Sequence, residues 1–565
     1  MKRLMGEEDQ GIQSLLEEVF KALFQDGQLP KMDLFLAAHR QNPHVQSAFD
    51  RFFLRDQSGW ACLTWLGLLE LDTDPAREQI RECDVARLLI KEKVFQEDVN
   101  ARSRSWTPAQ LAEKTGLSEA TLKKLLSVLA TEPGVGLDDA GRDGDGHVRA
   151  VHLRMGLIET PPLDWVRQAA ELNEAMVSSG LRLREIQVSG YRTFRDFKAS
   201  LDPLTVVIGA NATGKSSLLD FLKFLRSAVA EPLPPEIDRN SVGRTLFHAG
   251  GPGRISFSLG LDVGLPHLLR YEASIDRPEG HVRVPREAAE MDGDRVGNVP
   301  LLQLMNFAGG KGTVYGSRHH QNSWTLAQNE LALRRAQDPN LTHLSRVREY
   351  LESWKFYSGF DVSQGASIRT PVKIIEEPTL DENGANLSAV LMSFVTEHRE
   401  LWEELETHLR SVVPGFRALT AKARGGPGDV MGVWREEGVN GELTLADLSD
   451  GTLRFLCLAV LCLAPKPPPL MCLDEPEVGL HPRVLPVLAG LMRQASERTQ
   501  LLVTTHSPYF LSQFSINEIA VMRKEEGRAL LLRPGSRESL RQEVEELGGE
   551  ALAQLHISDE LETRS

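Results

Sequence analysis

Cysteine is scarce in this sequence and nowhere paired: the five residues Cys62, Cys83, Cys457, Cys462 and Cys472 form no Cys-x-x-Cys unit. An odd, scattered set excludes a disulfide framework and fits thiols kept reduced in a cytoplasm, the location expected for this chain. Long apolar runs are also missing. The longest, such as Phe455–Ala464, hold ten residues, far fewer than the roughly 20 needed to cross a bilayer, so no membrane contact is expected. The first ten residues are acidic and lack an apolar stretch before a small-residue cleavage site, so a secretory signal is not expected either. Positive charge is in deficit, with 64 Lys and Arg against 79 Asp and Glu and a formal net charge of −15. Any nucleic-acid contact must therefore be local. No heptad pattern is sustained over many turns, which excludes long coiled-coil arms. What remains is ordinary. With 41% hydrophobic and 25% charged residues over 565 positions, a globular chain of about two to four domains is expected.

The most informative stretch is Gly209-Ala210-Asn211-Ala212-Thr213-Gly214-Lys215-Ser216, set between the apolar run Leu204–Ile208 and the helix-like run Leu218–Leu225. That is the strand-to-turn-to-helix setting of a phosphate-binding P-loop. Backbone N–H groups of Gly209, Asn211, Thr213, Gly214 and the following Ser216 and Ser217 would face a triphosphate, with Lys215 on its terminal phosphates and the Ser216 hydroxyl on Mg²⁺. Far downstream, Pro469–Leu473 is an apolar strand that ends in Asp474-Glu475-Pro476. Two adjacent acids at the end of a buried strand are costly unless a cation is close. In this Walker B form, Asp474 would hold Mg²⁺ and Glu475 would polarise the attacking water.

Just ahead of the strand, Leu448-Ser449-Asp450-Gly451-Thr452 opens a helix read as Thr452–Leu463, with Ser449 lying 25 residues before Asp474. A serine and a glycine there present a hydroxyl and N–H groups to an anion. After Glu475, the strand Gln500–Thr505 delivers His506-Ser507-Pro508. The turn Gly190-Tyr191-Arg192-Thr193-Phe194, flanked by strand-like Leu183–Val188 and Phe197–Leu201, leads into the P-loop. Together these motifs resemble the ATPase heads of RecF, SMC and OLD-type proteins, a branch of the ABC ATPase class, over roughly residues 182–550. The resemblance implies that Ser449 and Gly451 contact the γ-phosphate bound to another protomer, that His506 senses that phosphate, and that Arg192 belongs to the nucleotide site. It further implies ATP and Mg²⁺ as cofactors and a homodimer or higher homo-oligomer. His481 stands where many ABC proteins carry the D-loop aspartate, and no Q-loop glutamine is evident.

The fold class expected is α/β: an ABC-type P-loop ATPase head with a helical insertion lobe, preceded by an α-helical plus winged-helix N-terminal module. Residues 1–100 read as helical, with apolar spacing such as Leu15, Leu16, Val19, Phe20 and Leu23. Residues 101–180 read as winged-helix-like plus a linker helix, Leu163–Gly180. There Thr107-Pro108 opens one helix, Gly116 turns the chain, Ser118 caps a second helix, and Asp138–His147 would be the wing. Lys114, Lys123, Lys124, Arg102 and Arg104 make this part locally basic, as a recognition helix for double-stranded DNA requires. Yet residues 1–180 hold 21 Lys and Arg against 29 Asp and Glu, so a protein adaptor role stays open. Residues 181–565 form the head. Ile255–Val263 and Leu269–Ile275 read as strands beside the nucleotide, and a helical insertion is expected around 300–415, with helices at Leu326–Ser353 and Leu387–Val413. Leu380-Asp381-Glu382-Asn383-Gly384-Ala385-Asn386 also resembles the stand-alone members of the group. After His506 too little chain remains for a TOPRIM nuclease domain, and no nuclease, protease or nucleophile constellation is seen. The function expected is an ATP-driven dimerisation switch in a DNA-directed process or in antiviral defence, with its effector encoded separately. The alternatives are a DNA-repair ATPase and a non-hydrolysing scaffold.

Overall fold

The computed structural model describes residues 174–558 apart from 234–245, 278–280, 293–294, 297–298, 301, 316–320 and 339–340. It also describes 560–561 and short stretches before residue 174, chiefly 105–115, 135–137 and 150–153. The head begins with β1 (Arg182–Ser189), β2 (Phe197–Ser200), β3 (Leu204–Ile208) and α1 (Lys215–Ala230). Next come β4 (Arg254–Asp262), β5 (Leu269–Asp276), β6 (Arg283–Met291), β7 (Gln303–Ala308), β8 (Lys311–Tyr315) and β9 (Gln321–Thr325). The middle holds α2 (Thr342–Glu352), β10 (Lys355–Tyr357), α3 (Leu387–Glu397), α4 (Arg399–Val412), β11 (Phe416–Ala423) and β12 (Asp429–Glu436). Then follow α5 (Asp450–Leu463), β13 (Leu470–Asp474), α6 (Leu485–Ser496), β14 (Gln500–Thr504) and α7 (Pro508–Leu511). The chain closes with β15 (Ile519–Glu525), β16 (Arg528–Leu532), α8 (Glu538–Leu547) and α9 (Gly549–Ile557).

Two large sheets organise the head. One has six strands in the order β10-β13-β14-β3-β15-β16, parallel except for the last pair. Both of its faces are covered. Val207, Cys472, Leu502 and Ala520 point into one apolar cluster, whereas Val206, Ile208, Met471, Leu473 and Val503 point into another. A strand buried on both sides has no polar alternation, and so Leu204–Ile208 reads as an unbroken apolar run with all five residues buried. The other sheet is antiparallel, with eight strands in the order β9-β8-β7-β6-β5-β4-β1-β2. It packs through Ile186 and Val188 of β1, with Phe257 of β4 and Tyr271 of β5, against the buried face of α1.

The insertion is less helical than its composition implies. β7, β8 and β9 extend the antiparallel sheet. The helix read over Leu326–Ser353 is confined to α2, with a 3-10 turn at Ala332–Arg335 before it. Pro339, between them in sequence, lacks an N–H and disfavours helical backbone in the residue before it. Leu387–Val413 is two helices, because His398 departs from helical geometry at φ −131° and ψ 60°.

Before the head, Ser105–Trp106, Val135–Leu137 and Val151–Leu153 form a three-stranded antiparallel sheet next in sequence to the helix Pro108–Thr115. Two short strands, Phe53–Arg55 and Ala61–Leu63, pair antiparallel within a segment read as helical. The rest of the 1–100 helical reading, the wing and most of the second winged-helix helix lie outside the described residues. No helix among the described residues is long and apolar enough to cross a membrane.

One buried carboxyl ties the antiparallel sheet to the 3-10 turn Ala332–Arg335. Glu287 of β6, 1% exposed, accepts hydrogen bonds from Tyr271 Oη at 3.1 Å, from Leu333 N at 2.9 Å and from Ala332 N. Burial pushes its carboxyl up to about 7, against the pull of these donors. The folded chain therefore holds this proton more tightly than the unfolded chain. The stability that it contributes is complete below the ordinary glutamate range and is lost as pH rises through about 7. Thermal unfolding from about pH 5 to about pH 8 should show the wild type losing ground to Glu287→Gln. Parallel pH profiles would contradict this.

Candidate active site

The parallel sheet brings its functional residues to one edge by register. Asp474 pairs with Thr504, and Thr504 with Val207, so β13, β14 and β3 end together. The Asp474 carboxylate, His506 and Gly209 thus emerge at the carboxyl ends of three adjacent strands, where open α/β sheets hold ligands.

The P-loop is shaped by two glycines and a strained alanine. Gly209 (φ 144°) and Gly214 (φ 125°) occupy backbone regions that favour glycine, and Ala212 (φ 62°) is left-handed. A Cβ on Gly209 would overlap the carbonyl oxygen of Met522, and one on Gly214 would lie 3.2 Å from the Phe194 ring. Lys215 is 8% exposed. Its ammonium donates to the carbonyls of Gly209 at 2.6 Å and Ala210 at 3.0 Å. The loop is therefore curled around its own lysine, and a phosphate would take over those bonds. Thr213 Oγ1 donates to the Ala210 carbonyl at 2.8 Å, which fixes the curl. Asn211 and Ser216 are exposed, and Ser217 is half-buried with its hydroxyl 3.3 Å from that of Thr193.

The Gly-Tyr-Arg-x-Phe turn supports this loop from behind. Tyr191 packs edge-on to Phe221 of α1 with ring centroids 5.2 Å apart, and Phe194 stacks on Phe197 at 4.1 Å. Arg192 (φ 44°) directs its guanidinium to Asp220 on α1. The structure thus places Arg192 beside the P-loop helix, with its charge already paired.

The acids sit opposite. Asp474 accepts from Thr504 Oγ1 at 2.5 Å. Glu475 takes a left-handed backbone (φ 49°), anchored by its N–H to the Thr504 carbonyl at 3.1 Å. This turns its carboxylate toward His506 Nε2, 3.8 Å away. His506 is held below the ordinary histidine range, first by burial and then by the charge of Lys215, with Glu475 and Asp474 opposing. Glu477, which sequence reasoning passed over, accepts from Thr505 Oγ1 at 2.5 Å, and burial raises its carboxyl above the ordinary range.

Two further elements complete the edge. A cleft of about 360 Å³ beside Asp474 and Glu475 is lined by Tyr357, Ser358, Gly359 and Phe360 at the end of β10 and by Arg454 of α5. β10 lies next to β13 in the sheet, so this loop supplies the flank for which no sequence motif was found. Ser449 caps α5, accepting from Thr452 N at 3.2 Å, and is exposed. A Cβ on Gly451 would meet the Gly479 carbonyl at 3.0 Å, so the turn after Glu475 packs on the start of α5. His481 Nδ1 accepts from Arg483 N at 3.2 Å and serves as a local cap.

The residues present fit ATP and Mg²⁺. Gly209 and Gly214 leave a cradle that side chains would fill, and Lys215 stands in it. Ser216 and Asp474 would supply the few protein oxygens that Mg²⁺ needs when phosphates and waters supply the rest. Among the described residues there is no group of three or more His, Cys, Asp or Glu side chains able to hold a metal by itself.

Comparison with known proteins finds ATPase-domain families on two parts of the chain. The family described as "AAA domain, putative AbiEii toxin, Type IV TA system" matches residues 369–512, and that described as "AAA ATPase domain" matches residues 182–241. Each match covers less than half of the chain, and together they give AAA-type ATPase domain sequence on both sides of the insertion. No curated protein matches it. Similar solved structures include an SMC head bound to the C-terminal winged-helix domain of ScpA, at 12% identity and a TM-score of 0.41, covering 62% of this chain and 97% of that one. Another is the SMC head with an extended coiled coil bound to the C-terminal domain of ScpA, from Pyrococcus furiosus, at 11% identity, TM-score 0.39, and 65% and 100% coverage. A third is the SMC head domain from Thermotoga maritima, at 14% identity, TM-score 0.31, and 62% and 98% coverage.

Proposed function

We propose that this chain is a Mg²⁺-dependent ATPase that works as a nucleotide-gated dimerisation switch. The observation that carries this reading is the convergence of the Lys215 cradle, Asp474, Glu475 and His506 on one edge of the parallel sheet. ATP would enter with its phosphates against the N–H groups of residues 209–217 and the Lys215 ammonium. Ser216 and Asp474 would hold Mg²⁺, which when bound supplies positive charge against the phosphate oxygens. Glu475 orients a water and accepts its proton as the water oxygen attacks the γ-phosphorus and the bond to the β–γ bridging oxygen breaks. His506 donates to a γ-phosphate oxygen. Ser449 and the N–H groups at the start of α5 would serve the nucleotide of a second copy, so that two chains enclose two ATP molecules.

The same reading sets this switch in a DNA-directed process or in antiviral defence, with a separate effector. The strands and helix within residues 105–153 support a winged helix, which would dock DNA or a partner protein. A DNA-docking module predicts turnover that DNA stimulates and that falls steeply with salt as counterions are released. The test of the enzymatic core is phosphate release by the purified chain with ATP. Turnover that stops on chelation of Mg²⁺ and returns with added Mg²⁺ is the expected result. Tight ATP binding without release, with or without DNA, would make the chain a scaffold instead.

A further inference from the structure

Arg369 closes the 3-10 turn Ser367–Arg369, and its side chain is only 7% exposed. A buried guanidinium is costly unless its donors are met. Here they are met by two separate loops. Nε donates to the Val362 carbonyl at 2.9 Å. Nη1 faces the carbonyls of Ala446 and Leu448, each at 2.8 Å, and of Leu445 at 3.3 Å. Nη2 donates to Asp450 Oδ1 at 2.7 Å. The first loop follows Tyr357–Phe360, which flank this protomer's own Asp474 and Glu475. The second is the run into Ser449. One side chain therefore ties the wall of the protomer's own acidic site to the loop that presents the serine.

Asp450 is 62% exposed, so packing does not explain an acid there. Its carboxylate lies at the first position of α5, next to the Ser449 cap, and accepts from the buried guanidinium. We infer that Arg369 and Asp450 are a positioning pair that sets Ser449 for the nucleotide of the second copy. Lysine cannot replace Arg369, because a single ammonium lacks the planar fork that spans Val362, the 445–448 carbonyls and Asp450. The inference rests on the ATP-closed dimer proposed above.

The test uses the full chain with Glu475→Gln, alone and with either Asp450→Ala or Arg369→Lys added. Asp450→Ala removes an exposed side chain, so it separates positioning from a failure to fold. Fluorescent ATP binding at protein concentrations below association should be unchanged by either added substitution. ATP-driven association, followed by light scattering, should weaken by about tenfold or more. In a second arm, Glu475→Gln protein is mixed with Asp450→Ala protein that retains Glu475. The mixture should hydrolyse ATP faster than the sum of the two alone, since one composite site then has both an intact Glu475 and an intact Ser449 loop. Association unaffected by both added substitutions, loss of ATP binding by the protomer, or no gain on mixing would overturn the inference alone. A Glu475→Gln parent that binds ATP without associating would overturn the dimer reading and this inference with it.

Discussion

Glu475→Gln is expected to slow ATP turnover by at least ~10²-fold while leaving ATP binding nearly unchanged. Glutamine keeps the size of the side chain and its place at the end of β13. The backbone that aims it is held by the N–H to the Thr504 carbonyl at 3.1 Å, which the substitution does not touch. What is lost is an oxygen able to take a proton from water, at a position 3.8 Å from His506. No contact to the P-loop is removed, so the effect falls on turnover. Steady-state phosphate release together with fluorescent ATP binding separates the two quantities. Wild-type turnover in the variant would remove Glu475 from its assigned role.

Lys215→Ala is expected to act on the other quantity, lowering ATP affinity by about 10²-fold, the worth of one or two charge-assisted bonds to phosphate. In the structure the ammonium is satisfied by the Gly209 and Ala210 carbonyls at 2.6 and 3.0 Å. Both carbonyls sit in the loop itself, so removal of the lysine leaves the β3 and α1 packing intact. Circular dichroism of the variant should match that of the wild type while its ATP titration shifts. An unshifted titration would show that the loop does not bind phosphate through this residue.

Much of this site is legible in the sequence because chemistry restricts the residues. A phosphate cradle needs glycines at particular backbone angles, a metal needs an oxygen donor, and a parallel strand covered on both faces needs an apolar run. Leu204–Ile208 and Leu470–Asp474 are therefore read nearly residue for residue. β6 shows the opposite case. Arg283–Met291 contains a proline, four charged residues and two adjacent alanines, and local preference does not make it a strand. Its pairing with β5 and β7 and the buried Glu287 network do. Arg369 is silent in sequence for a further reason. Its partners are mainly backbone carbonyls, three of them 76 to 79 residues away, and a carbonyl leaves no mark on residue identity. The Tyr357–Phe360 flank is hidden likewise, since its strand has three residues and its neighbour β13 begins more than a hundred positions later.

The central claim is that ATP joins two copies of this chain across the sites built on Lys215 and Ser449. It is tested most directly by the mass of the Glu475→Gln protein in solution, measured by light scattering with ATP, with ADP and without nucleotide. The account predicts a shift to the dimer, or tightening of a larger assembly, with ATP alone, because the γ-phosphate is the group that the second chain contacts. One unchanged mass and one unchanged scattering profile in all three conditions would contradict it.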